Sequence, residues 1–371
     1  MSAAQPIKIL YVIDKMVRAG AQRHLLRVVR GLDRDHFNPA VCCLLYPGPL
    51  GAELQREGVE VFSLDLENIM GIRFFRGAAR LARLVSRRRI DLLHAYLFSA
   101  NLVAPAAGFL SRRPVITSRR DTGFWKTKRH ILALRAADRF TSAVTVNSGP
   151  VGEYLGREER VFPPRAVLIE NGIDIPPPDT GGRSLFGEEG RVRLVSLGNI
   201  RPVKGYEYLI RSLPRLSRGR EIELEIGGRI IDAEYYQRLV KTIGELGLEE
   251  TVKFAGEISD VAAFLKGHHI FILPSVSEGF SNALLEAIGA GLPAIVTSVG
   301  ANPDVITDKL TGLIVAPEDE AALAEAIDYL LTDGSRTARL AAAGSKDIAE
   351  RYSSQRMCRS LEKLYRDLLG L

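Results

Sequence analysis

The chain holds only three cysteines in 371 residues, and two of them, Cys42 and Cys43, are adjacent. With Cys358 the number is odd, and no pair has CxxC spacing. Such usage builds neither a disulfide framework nor a thiolate zinc site, and a reducing compartment fits it. No apolar run reaches the ~18 residues that would span a bilayer as a helix. The longest candidate, Leu97 to Leu110, is interrupted by Ser99, Asn101 and Pro105 and reads as a buried helix. Met1 to Pro6 leads straight into the apolar run Ile7–Ile13, without the charged-then-apolar order of a secretory leader. A cytoplasmic protein is therefore expected. Internal repeats and low-complexity tracts are also missing.

What is present is apolar substance and asymmetric charge. Hydrophobic residues make up 46% of the chain, enough for true cores. The length predicts about two domains. The net charge of +6 is unevenly spread. Residues 1–175 carry 27 Lys+Arg against 16 Asp+Glu, a net +11; residues 176–371 carry 23 against 28, a net −5. The basic half is expected to face something anionic: a membrane surface, a lipid phosphate or a nucleic acid.

Short β-branched runs alternate with longer helical stretches. Strands are predicted at Lys8–Ile13, Ala40–Leu45, Val59–Ser63, Asp91–His94, Val115–Thr117, Ala143–Val146 and Ala166–Ile169. A second series is predicted at Arg193–Leu197, Glu221–Ile226, Thr251–Ala255, Ile270–Leu273, Ala294–Val296 and Gly312–Val315. Most are continuous apolar runs, the pattern of parallel strands buried on both faces. Strand–helix alternation predicts an α/β fold with two doubly wound, Rossmann-like parallel sheets facing a cleft. Pro176–Gly182 reads as linker. The expected plan is an N-terminal domain over 1–175, a linker over 176–190 and a C-terminal domain over 191–352. A terminal helix over 353–371, apolar at Leu361, Leu364, Tyr365 and Leu368, is expected to cross back to the first domain.

Three strand-end segments carry the candidate chemistry. Pro274–Ala287 follows Ile270–Leu273, so it lies at a carboxyl end, where parallel sheets bind ligands. A helix is predicted from Phe280, and amides at a helix start bind phosphate. Glu286 on that helix suits two ribose hydroxyls, and Glu278 before it suits a sugar hydroxyl or charge near a reacting carbon. The plainer alternatives are a dipole-favoured carboxylate for Glu278 and a solvated helix face for Glu286. Ser196–Gly205 offers Arg201 and Lys204 as cations for a diphosphate, or a solvated basic turn. Asp14–Arg23 offers Gly20 at a strand–helix turn, for close approach to a phosphate or as a tight turn.

These segments together resemble the family 4 glycosyltransferases, the retaining group with the GT-B fold. Matching residues are Arg18–Arg23, Asp91–Asn101, Ile169–Asp174, Gly198–Gly205, Pro274–Glu286, Gly289–Pro293, Val299–Asp304 and Thr311–Val315. The pair Glu278 and Glu286, seven residues between them and Gly279-Phe280 after the first, is the most specific match. The resemblance implies that Lys204 and a neighbouring arginine stabilise a nucleotide diphosphate, that Glu286 holds the ribose and that Glu278 lies by the donor sugar. It implies backbone contacts to the donor near Phe280, Ser281 and Asn282, a diphosphate contact at Gly20, and a nucleobase near Gly256, Glu257 and Ile258. It implies no cofactor beyond the nucleotide-sugar donor and no metal; consistently, no Asp-x-Asp pair is expected to hold a divalent cation on a diphosphate.

The chain departs from the family pattern at three places. Asn199 stands where an arginine is usual, and Arg201, two positions on, would share its face if the strand continues. The usual His-x-His becomes His94-Ala95-Tyr96. His94 and Tyr96 would share one strand face, so either could fill the site-facing place, where a histidine would assist deprotonation or orient the sugar; the alternative for His94 is a buried hydrogen-bonded histidine. Ala19 replaces the first glycine of a Gly-Gly loop. In the basic half, Arg73, Arg76, Arg80, Arg83 and Arg87 form a helical stripe beside Phe74, Ala78, Leu81 and Val85. That helix either rests on anionic lipid or is an ordinary solvated one. The run Ser118–Lys126, with Phe124 and Trp125, is suited to a phosphorylated acceptor or a lipid or sugar ring.

The expectation is thus a retaining, metal-independent glycosyltransferase of cell-surface polysaccharide biosynthesis. It would move sugar from a nucleotide-diphosphate sugar to a saccharide or lipid-phosphate-linked acceptor, peripherally on the inner face of the membrane. A sugar-nucleotide epimerase of similar fold is the alternative. A nucleic-acid-binding protein, prompted by the basic pI of ≈ 9.2, is a distant third, because the best phosphate-type loops lie in the acidic half.

Overall fold

The computed structural model describes residues 5–66, 71–121, 123, 125–174, 191–217 and 221–371. The predicted linker 176–190 and Phe124 lie outside the described residues. By contacts the chain divides into two units: Met1–Gly172 with Ser354–Leu371, and Ile173–Ser353.

In unit 1, β1 (Ile7–Lys15), β2 (Phe37–Tyr46), β3 (Val61–Ser63), β4 (Leu92–Ala95), β5 (Val115–Arg119), β6 (Ala143–Val146) and β7 (Ala166–Leu168) form one sheet. Its order is β3-β2-β1-β4-β5-β6-β7, and every pairing is parallel. In unit 2, β8 (Arg191–Leu197), β9 (Glu221–Gly227), β10 (Val252–Gly256), β11 (Ile270–Leu273), β12 (Ala294–Thr297) and β13 (Leu313–Val315) form another. Its order is β10-β9-β8-β11-β12-β13, again all parallel.

Both sheets are covered on two faces, which explains the unbroken apolar runs. Along β1, Ile9, Tyr11 and Ile13 enter one core and Leu10 and Val12 the other. Along β11, Ile270 and Ile272 enter one core and Phe271 and Leu273 the other. The period of two is that of a pleated strand.

Each order reverses direction once, between β1 and β4 in unit 1 and between β8 and β11 in unit 2. Ligands of open parallel sheets bind outside the carboxyl ends at such points. The segment Asp14–Arg23 leaves β1, and Tyr96 follows β4. Ser196–Gly205 runs from the end of β8, and Pro274–Glu286 leaves β11. All of these strand-end segments therefore stand at switch points of their own sheets.

The helix Ser354–Leu369 belongs to unit 1. It buries Met357, Cys358, Leu361 and Tyr365 in the core that also holds Ile9 and Tyr11, with Leu364 and Leu368 packed beside them. Differences from the expected bounds are small: β3 begins at Val61, and the helix expected from Phe280 spans Asn282–Gly289. The latter begins late because Ser281 stays extended as its cap, accepting from the Leu284 amide. Among the described residues no helix is long and apolar enough to cross a membrane.

Candidate active site

The unit 2 site is assembled from two loops that brace one another. The Val276 amide donates to the Val203 carbonyl (2.9 Å), and Ser277 donates to the same oxygen (3.3 Å). Gly205, at φ +63°, brings its Cα so close to the Pro274 carbonyl that a Cβ would lie 2.1 Å from that oxygen. Only glycine serves there.

This bracing brings Lys204 and Glu278 together. The Lys204 ammonium donates to Glu278 Oε1 in a very short contact, and the two side chains are only 11% and 10% exposed. Ser275 Oγ donates to the same Oε1 at 3.1 Å. Burying two charges is costly, and a largely desolvated pair of this kind is a poor device for stability alone.

Residues not foreseen hold the loop in place. Thr297 Oγ1 at the end of β12 donates to the Ser275 carbonyl (2.6 Å), and Asn302 Nδ2 donates to the Thr297 carbonyl (3.0 Å). The Ala301 amide donates to the Gly279 carbonyl (3.2 Å). Gly300 has φ +55°, and a Cβ there would stand 2.2 Å from the Glu278 carbonyl oxygen. Tyr206, buried below, donates its hydroxyl to the Gly198 carbonyl at 2.7 Å. Burial pushes the Tyr206 phenol up, the Glu278 charge adds to this, and Arg201 opposes it. Arg201 and Glu278 therefore act on the same buried phenol.

The chain stays extended past β8. Ile200 pairs in parallel with Ile230 and is buried, and Arg201 has φ −161° and ψ 155°. Asn199 and Arg201 thus share the side opposite Ile200. Arg201 is half-buried. Phe280 packs its ring 5.7 Å from Tyr352, and Glu286 is half-buried on the helix behind it. Ile258 packs over Gly227, where a Cβ would meet it at 2.8 Å, and Gly228 donates to the Gly256 carbonyl (2.7 Å). Glu257 between them is exposed. Lys204, Arg201, Asn199, Glu278, Phe280, Ser281, Asn282, Glu286, Glu257 and Ile258 all follow carboxyl ends of one sheet.

Gly20 and His94 belong to unit 1. Gly20 is the exposed first residue of the helix Gly20–Gly31, capped by extended Ala19. His94 is fully buried, with Nδ1 2.8 Å from the Tyr365 hydroxyl and Nε2 2.9 Å from Ser118 Oγ. Burial first, then the Arg120 charge, lowers its pKa to about 3. This is the buried hydrogen-bonded alternative: both nitrogens are engaged and the ring is neutral. Tyr96 is buried beside it, ring centroids 4.7 Å apart. The chain's Asp-x-Asp, Asp33-Arg34-Asp35, is an exposed turn where Asp33 accepts from the Asp35 amide (3.0 Å).

The arginine stripe lies on the helix Ile72–Arg88, where Arg73, Arg76, Arg80, Arg83 and Arg87 are exposed and Ala78, Leu81 and Val85 buried. Ile72 and Phe75, 69% and 68% exposed, stand at its first turn. Trp125 is 41% exposed and meets Phe98 edge-on at 5.5 Å.

Residues 183–347 match the family described as glycosyl transferases group 1, and residues 18–175 match glycosyltransferase family 4. The lipopolysaccharide core biosynthesis mannosyltransferase LpsB of Rhizobium meliloti is 27% identical over 76% of this chain and 79% of its own. A glycosyltransferase of Methanocaldococcus jannaschii is 27% identical over 50% of this chain, and that match spans about half (47%) of the relative's length. Among solved structures, Anabaena HepE in complex with UDP and glucose superposes with TM-score 0.86 at 19% identity, covering 97% of this chain and 100% of that one. From the two family matches, which together reach from residue 18 to 347, and from the shared fold, the chain belongs to the family 4 glycosyltransferases with the GT-B fold.

Proposed function

We propose that this glycosyltransferase moves a sugar, with retention of configuration, from a nucleotide-diphosphate sugar to a saccharide or lipid-linked acceptor of cell-surface polysaccharide. The observation that carries the reading is the Lys204–Glu278 pair at the unit 2 switch point. The site offers a diphosphate two cations, Lys204 and Arg201, close to the start of the helix Asn282–Gly289. Each element favours negative charge where it develops on a leaving diphosphate.

In the proposed reaction the bond from the sugar's anomeric carbon to the diphosphate oxygen breaks. An acceptor hydroxyl bonds to that carbon from the same face and gives its proton to the departing phosphate oxygen. Lys204 and Arg201 take up the charge of the leaving group. Glu278 holds Lys204 in place and lies by the donor sugar, and Glu286 receives the ribose hydroxyls. Asn199 supplies no charge, so Arg201, on the same side of the extended segment, is assigned the missing arginine's part. With His94 neutral and both its nitrogens engaged, proton removal is assigned to the phosphate.

LpsB supports a lipopolysaccharide-type acceptor and HepE a uridine nucleotide. Peripheral attachment to an anionic inner membrane face is supported by the exposed arginines of Ile72–Arg88, with Ile72 and Phe75 beside them. The test is incubation with labelled UDP-, GDP- and ADP-sugars. Slow donor hydrolysis or transfer, with an α-anomer retained by NMR from an α-donor, supports the reading. Return of an isomerised nucleotide sugar, or no turnover of any donor, refutes it.

A further inference from the structure

The chain enters unit 2 at Ile173 and leaves it after Ser353. Inside unit 2 these two passages are stitched together. Ile173 and Ser353 form a parallel bridge, and the Ile173 amide donates to the Tyr352 carbonyl at 2.9 Å. Tyr352 ends the helix Gly334–Arg351, its own amide still donating to the Ile348 carbonyl at 2.8 Å. Tyr352 is 1% and Ile173 2% exposed, and both lie in one core with Leu273, Leu284 and Leu285.

The side chain of Tyr352 meets both segments that hold Glu278. Its ring packs 5.7 Å from the ring of Phe280, two residues after Glu278, at an interplanar angle of 58°. Its hydroxyl donates to the Asp304 carbonyl at 3.4 Å, the oxygen to which Arg351 Nη2 also donates at 2.7 Å. Asp304 lies on the short helix Asn302–Val305, directly after Gly300 and Ala301, which brace the Glu278 loop. Arg351 covers the other side, its guanidinium 4.9 Å from the Tyr352 ring centroid and its Nη2 2.9 Å from the hydroxyl. The backbone of Tyr352 therefore holds the entering chain, and its ring holds the loop. A close-packed interior passes such displacements on rather than absorbing them.

We propose that Tyr352 is a positioning residue, whose ring ties the Glu278–Phe280 loop to the place where the chain enters and leaves unit 2. A nucleoside diphosphate held by the loop would restrain Phe280, then the Tyr352 ring, then the carbonyl that receives the Ile173 amide. Coupling of this kind needs no large movement, because ordering one group lowers the freedom of the next. It is also reciprocal: loosening the Ile173–Tyr352 bond weakens the hold on the ligand by the factor that the ligand strengthens the bond. Taking the loop as a nucleotide site rests on the proposed transferase reading; the tie itself is a property of unit 2.

Hydrogen exchange of the full chain, resolved to single amides, tests the tie with and without UDP and, separately, GDP. A bound nucleotide is expected to slow exchange of the Ile173 amide about fivefold or more, the lower end of ordinary coupling between sites. Tyr352→Leu keeps an apolar side chain but removes the ring. It should still show protection of the Glu278 loop by nucleotide, while Ile173 loses its added protection. Without nucleotide, the same variant should speed exchange of the Ala301 amide, which donates to the Gly279 carbonyl, by about fivefold or more. Tyr352→Phe keeps the ring and should match the wild type in both respects. Phe280→Leu cuts the contact from its half-buried end, spares the buried Tyr352, and should also remove the added protection of Ile173; it serves if Tyr352→Leu folds poorly. A ring with a merely structural role would lower the melting temperature without changing which amides the nucleotide protects. Nucleotide binding that leaves Ile173 unprotected overturns the tie and leaves the transferase reading standing. So does added protection that survives in Tyr352→Leu or Phe280→Leu, or that is lost in Tyr352→Phe. Failure of both nucleotides to bind counts against the transferase reading instead, and unchanged Ala301 exchange in ligand-free Tyr352→Leu then overturns the tie on its own.

Discussion

The Lys204 ammonium and the Glu278 carboxylate meet although 74 positions separate them in sequence. They come from loops after β8 and β11, neighbours at the point where the unit 2 sheet reverses its order. Neither charge is fully solvated. Lys204 is thus held by Glu278, and Glu278 by Lys204 and Ser275, and in the proposed reaction each gains a further partner in the donor. A diphosphate would draw on Lys204 while Glu278 keeps it oriented.

Glu286 is assigned to ground-state binding. Glu286→Ala should raise the donor KM about 10- to 100-fold, the loss of one or two hydrogen bonds to a charged acceptor, with kcat changed much less. Initial rates over a donor series check this. An unchanged KM removes Glu286 from the donor site.

Gly300 is expected to be intolerant of any side chain, because φ is +55° and a Cβ would press on the Glu278 carbonyl. Gly300→Ala should cost about 1–3 kcal/mol of strain and lower turnover at least tenfold through displacement of Glu278. Calorimetry and rate measurements together test it; wild-type values in both would show that the loop does not depend on this contact.

The buried neutral His94 has a consequence for acid stability. Its folded pKa of about 3 lies below the ~6.5 of an unfolded histidine, so between these values the unfolded chain binds more protons. Stability should rise with pH through that window and fall on acidification below about 6.5. His94→Gln should flatten this dependence, measured by denaturant melts from pH 4 to 7. An unchanged slope would contradict the assignment. No limb of the activity profile near neutrality is expected from His94.

Most of the strands were legible because parallel strands buried on both faces are near-continuous apolar runs, whereas β9, with Glu221, Glu223 and Glu225, alternates. The strand-end position of Glu278, Lys204 and Arg201 followed from the alternation of strands and helices. What could not be read is what tertiary contact decides. Ser275, Thr297, Asn302 and Gly300 support the Glu278 loop only because β12 lies next to β11. His94 had two readings, and the Tyr365 hydroxyl, from a helix 271 positions away, distinguishes them. Arg119 and Arg120 are equal members of one basic run in sequence. Yet the first meets two acids and the second none among the described residues, since successive side chains at a strand end point to opposite sides.

The most direct test of the transferase account is the steady-state comparison of Lys204→Ala with the wild type, on whichever nucleotide sugar the wild type turns over. The account predicts a kcat lower by about two to three orders of magnitude, as for loss of one preorganised charge-stabilising donor. The donor KM should move less than tenfold. Equal kcat in the folded variant would contradict it.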